Sequence, residues 1–84
     1  MLVIYKWQLT VSRHQEVVMQ RGARILTVQN QGGMLCLWAI VNPEAPTESR
    51  YFSVFGTGHP HESFPQNYIG TCQQGQYVWH VFED

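Results

Sequence analysis

The amino-acid sequence predicts an all-β domain, either a small barrel or a two-layer β-sandwich, of six to seven mostly antiparallel strands. Short runs rich in β-branched and aromatic residues recur along the chain, separated by turn residues at fairly even intervals. Within several runs apolar and polar residues alternate with a period of two, the signature of a strand with one covered face. No segment asks for more than a single helical turn.

The first strand is predicted over residues 2–11, with Val3, Tyr5, Trp7, Leu9 and Val11 on one face and Lys6, Gln8 and Thr10 on the other. Residues 12–15 are a polar connection, or the start of a short helical turn. Residues 16–20 form a second strand closed by Arg21-Gly22. In the third, residues 23–31, Arg24, Leu26, Val28 and Asn30 alternate against Ile25, Thr27 and Gln29. Gln31-Gly32-Gly33 then makes a tight hairpin, because glycine takes positive φ without a Cβ penalty. Residues 34–41 are apolar on both faces, which predicts a central strand covered on each side. Pro43 and Pro46 end it, since proline cannot donate to a sheet ladder. Residues 49–55 are the fifth strand and residues 56–66 the longest irregular segment. The last hairpin joins residues 68–73 to 76–82 around Gln74-Gly75.

Eighty-four residues make one domain, 1–84, whose core is small. With 44% hydrophobic, 13% aromatic and only 13% charged residues, the chain is not of the disordered class. Its formal net charge of −1 argues against a general nucleic-acid binder and against an acidic DNA mimic. Cys36 and Cys72 lie in separate apolar runs and are expected as buried thiols in a reducing compartment, a single bridge being the alternative. The first residues lack the pattern of a secretory signal, and no apolar run is long enough to span a membrane. A cytoplasmic protein follows. An aromatic load this high for so small a core, with sheet edges to pair, leads to the expectation of a homo-oligomer.

Catalytic groups do not emerge. There is no nucleophile elbow, no cysteine in a basic setting and no pair of carboxylates, so the protein is read as a binder, not an enzyme. His59-Pro60-His61 has His-x-His spacing, but a metal needs at least a third ligand, such as His14, His80 or a cysteine, and nothing in the sequence brings one near. Neither a metal nor a cofactor is expected. His80, between Trp79 and Val81, reads as a half-buried strand residue bonded to its neighbours. Gly56-Thr57-Gly58-His59 leaves a strand directly, where glycines let a backbone approach a ligand and successive amides can cradle an anion. Arginine beside an exposed aromatic grips a planar anion by paired hydrogen bonds and stacking. The expected ligand-binding set is therefore Gly56, Thr57, Gly58 and His59 with Arg24 or Arg50 and an aromatic such as Tyr5 or Tyr51.

Several ordered motifs run through the chain: residues 21–29 (RGARILTVQ), 37–43 (LWAIVNP), 56–59 (GTGH), 68–71 (YIGT) and 78–82 (VWHVF). In this order and spacing they resemble a family of short proteins of unknown function from phages, prophages and bacterial genomes. Members often carry a proline where this chain has Gln20 or Arg21. The resemblance implies a small accessory protein acting against a host system. The expected function is counter-defence, by sequestering a nucleotide-derived immune signal at oligomer interfaces. The alternatives are an inhibitor that docks on a host defence protein, such as a nuclease or CRISPR effector, and a minor virion or housekeeping component.

Overall fold

The computed structural model describes residues 1–84 and contains seven strands and no helix, hence none long and apolar enough to cross a membrane. The strands are β1 (Val3–Leu9), β2 (Gln15–Gln20), β3 (Arg24–Gln31), β4 (Met34–Val41), β5 (Thr47–Gly56), β6 (Asn67–Gln74) and β7 (Tyr77–Glu83). They form a three-stranded sheet, β1-β4-β3, and a four-stranded sheet, β2-β5-β7-β6, with every pairing antiparallel. No ladder closes one sheet onto the other, so of the two predicted architectures the fold is the sandwich and not the barrel. Its Cα atoms span 15 Å in the thinnest direction, the thickness of two sheets stacked about 10 Å apart.

A single core fills the space between the sheets. Leu35, Leu37, Ala39 and Val41 point into it from β4, Phe52 and Val54 from β5, and Val81 from β7, all within one buried cluster. Leu9, Val17 and Met19 complete it from β1 and β2. The sheets approach most closely at β3 and β6. A Cβ at Gly70 would meet the Val28 side chain at 3.0 Å, so the absence of a side chain there permits the approach. The two hairpin tips lock this side: Asn30 donates to the Gln73 carbonyl at 2.9 Å and Gln74 to that of Gly33 at 2.9 Å. Gly32 and Gly33 both adopt positive φ, 60° and 84°, as the predicted tight turn requires.

Four expectations need correction. The first strand ends at Leu9, and Val11 is exposed; Gln15 bonds the backbone and hydroxyl groups of residues 10–12 and turns the chain there without a helical turn. In β3 a bulge between Ile25 and Thr27 breaks the alternation. Ile25 and Val28 therefore both pack on the core, while Leu26 is 44% exposed. The fifth strand begins two residues earlier than expected, at Thr47. Finally, β4 is central but covered by a layer on one face only. On its other face Trp38 and Ile40 are half-buried and Cys36 is buried. The Lys6 ammonium on β1 donates to Gln31 Oε1 on β3 at 2.7 Å, a bond that spans β4, which lies between these strands.

Candidate functional site

The outer face of the four-stranded sheet carries a cluster of aromatic and polar side chains. Phe52 and Val54 of β5 face the core, so Phe55 points outward, and its register partner on β7 is His80. Residues 57–66 leave β5 and fold back over Phe55. The Phe64 ring stands edge-on to Phe55 at 4.8 Å between centroids, His61 meets Phe55 at 4.8 Å, and Phe82 lies 5.6 Å from Phe55. This packing makes Phe55 nearly inaccessible although it lies outside the core cluster, and it leaves Phe64 half exposed.

Beside these rings lies a groove of about 310 Å³ bordered by Phe55, Phe64, Phe82, Thr57, His59 and His80. His80 is held from both sides. Its Nε2 is 2.7 Å from Thr57 Oγ1 and its Nδ1 is 3.0 Å from Thr71 Oγ1, which in turn is 2.5 Å from the Tyr68 hydroxyl. A second bulge, between Tyr68 and Gly70, is what lets Tyr68 and Thr71 share the outer face. The network joins hydroxyls and one imidazole and contains no carboxylate. It fixes the ring in the groove wall and gives it the neighbour-bonded setting read from the sequence.

The Gly-Thr-Gly-His segment forms the rim. Gly58 turns the chain with φ 87°, and the His59 ring folds back onto Gly56. A Cβ at Gly56 would lie 2.9 Å from that ring and 3.1 Å from the Trp79 ring. The Thr57 amide donates to the Val78 carbonyl at 3.3 Å and the His59 amide to Gly56 at 3.4 Å. Two of the amides expected to cradle an anion are thus engaged within the chain. Beyond the rim a second hollow of about 330 Å³ is floored by Trp79 and Tyr77, whose rings stack at 5.7 Å.

The structure does not bring the remaining expected residues to this groove. Arg50 is committed elsewhere: its Nε donates to Glu83 Oε2 at 2.6 Å, and two further nitrogens bond Glu83 Oε1 at 2.8 Å and the Ala23 carbonyl at 2.5 Å. The hydrogen bond to Glu83 outweighs partial burial and raises the pKa of Arg50 above its ordinary value. Arg24 is exposed beside the same ion pair, in a cavity on the β3–β6 side. Tyr5 lies on the edge strand of the other sheet against Trp7, and Tyr51 stacks beneath His14 with centroids 5.6 Å apart. The histidines do not assemble a metal centre, since no group of three or more His, Cys, Asp or Glu side chains converges. Cys36 and Cys72 are buried and unbridged, on different sheets, and burial raises the Cys72 thiol pKa. The sequence reading missed Phe55, Phe64, Phe82, Thr71 and Tyr68. The outward strand parity of Phe55, Thr71 and Phe82 was the one local signal for them.

These features define an all-β sandwich with an aromatic-walled groove on one outer face. The chain matches the domain of unknown function DUF7352 over residues 1–84 and belongs to that family. No curated protein and no solved structure matches it.

Proposed function

We propose that the protein is a non-catalytic binding module that captures a small planar ligand of nucleotide type in the groove between Phe64, Phe82, His59 and His80. One observation carries this reading: a concave site with aromatic walls holds a few fixed polar groups, Thr57 and His80 among them, which is the usual composition of a small-molecule site. Aromatic walls favour stacking with a planar ring, and the Thr57–His80 pair favours a hydrogen-bonding edge. In the phage setting that the resemblance implies, such a module acts in the host cytosol by sequestering a nucleotide-derived immune signal. Tight binding in excess suffices for that, with no turnover.

Thermal unfolding in the presence of a panel of cyclic and linear nucleotides tests it. A ligand present at one hundred times its dissociation constant stabilises the fold by roughly 2.7 kcal/mol. Phe64→Ser is expected to abolish that gain, and a panel without any shift overturns the reading.

A second reading has its own observation. The β1 edge is unpaired and exposes Leu2, Ile4 and Tyr5, which suits strand addition by a host defence protein. Ile4→Lys discriminates: it removes host-protein inhibition under this reading and leaves nucleotide binding intact under the first.

A further inference from the structure

The groove lacks a cation, yet a nucleotide brings phosphate. Of the chain's five Lys and Arg side chains, Lys6 bonds Gln31 and Arg21 and Arg50 face Glu48 and Glu83. Arg13 and Arg24 have no partner within the chain. Arg24 lies in the separate cavity beside Arg50 and Glu83. Arg13 instead lines a hollow of about 670 Å³ with His14 and Ser63, and two of its other walls are Phe55 and Phe64. These same two rings border the groove, so groove and hollow adjoin.

The hollow is organised. His14 Nδ1 bonds Asp84 Oδ2 at 2.7 Å while its ring lies parallel to Tyr51, 3° between planes. Position and tilt of the imidazole are thereby set, and Nε2 is unengaged. Asp84 is the nearby carboxylate, and both its side-chain oxygens are occupied, one by His14 and one by the Ser53 hydroxyl at 2.7 Å. The Ser63 hydroxyl has no partner within the chain. Meanwhile the Thr57 and His59 amides are engaged in backbone bonds, which weakens the rim as an anion cradle.

We infer that Arg13, with Ser63 beside it in the hollow, is a phosphate subsite for a ligand whose ring occupies the groove. This rests on the groove reading and narrows its ligand class from planar compounds in general to phosphorylated nucleosides. Arg13 supplies a permanent charge in a planar fork matched to two phosphate oxygens, and the serine hydroxyl adds a single donor.

Calorimetric titration with AMP, GMP, CMP and UMP, with the matching nucleosides and with inorganic phosphate, tests the inference on the wild type, Arg13→Gln and Arg24→Gln. At least one monophosphate is expected to bind about tenfold more tightly than its nucleoside, the worth of a charge-assisted contact. That gain disappears in Arg13→Gln and persists in Arg24→Gln, while nucleoside affinity is the same in all three. Arg13 is exposed, so its replacement does not disturb the core. Equal affinity for nucleoside and monophosphate, or a gain that survives Arg13→Gln, overturns the subsite and leaves the groove standing. Silence from every nucleoside and nucleotide overturns the groove itself, and the subsite with it.

Discussion

Gly56 lies under the His59 ring with no room for one more carbon, since an added Cβ would be 2.9 Å from the imidazole and 3.1 Å from Trp79. Gly56→Ala must therefore push His59 out over the groove or press Trp79 toward the core. Because His59 is exposed and its ring can swing aside, the cost should stay below about 1 kcal/mol while the ring itself is displaced. An unchanged His59 NMR signal would show that the rim does not fold back in this way. Cys72 offers a second test at this scale. Burial raises its pKa in the folded state above the ordinary 9.0, so the folded chain holds the thiol proton more firmly than the unfolded chain does. Its contribution is constant below pH 9.0, and stability declines as pH rises from there toward the folded value. Urea unfolding between pH 8 and pH 10.5 should show a shallower alkaline decline in Cys72→Ala, although that variant is less stable throughout.

At the level of elements, the bulge in β3 decides which side chains its sheet buries. Strict alternation puts Leu26 and Val28 on one face, but the structure exposes Leu26 and buries Val28 to 2% exposure. Leu26→Ser should alter stability by no more than about 0.5 kcal/mol, whereas Val28→Ala should cost roughly 1–3 kcal/mol. Equal losses in chemical denaturation would contradict the bulge. The end of β7 is fastened by Glu83, whose carboxylate takes both hydrogen bonds from Arg50 of β5 while Arg50 also reaches the Ala23 carbonyl just before β3. Both side chains are mostly shielded from water, so Glu83→Gln leaves a guanidinium with a neutral partner and should cost roughly 1–3 kcal/mol. Amide exchange should then rise first around residues 50–52 of β5 and at the last residues of β7. Both the bulge and the ion pair escaped the sequence reading, because each depends on a contact between segments far apart in the chain.

For the whole molecule, assembly follows from the edges. The β3 and β6 edges face one another and share side-chain hydrogen bonds, whereas β1 is open along its length and exposes Leu2, Ile4 and Tyr5. An unpaired strand with apolar side chains on its rim is a template for a second copy. Light scattering is expected to give a molar mass at least twice 9.7 kDa, reduced to the single-chain value by Ile4→Lys. A wild-type mass of one chain would mean that the groove functions without a partner subunit.

The all-β class, the approximate positions of the strands along the chain and the two glycine hairpins were legible in the linear sequence, because alternation and turn chemistry are local properties of neighbouring residues. So was the glycine turn by which the chain leaves β5 at Gly56-Thr57-Gly58, since glycine takes the positive φ that Gly58 adopts there. The choice of sandwich over barrel, the removal of Arg50 into an ion pair, the outward aromatic cluster around Phe55 and the meeting of His80 with Thr57 and Thr71 were decided by tertiary structure alone. Each of these depends on which distant strand comes to lie alongside, and that is set by how the two sheets together bury their apolar faces, not by any single segment's pattern.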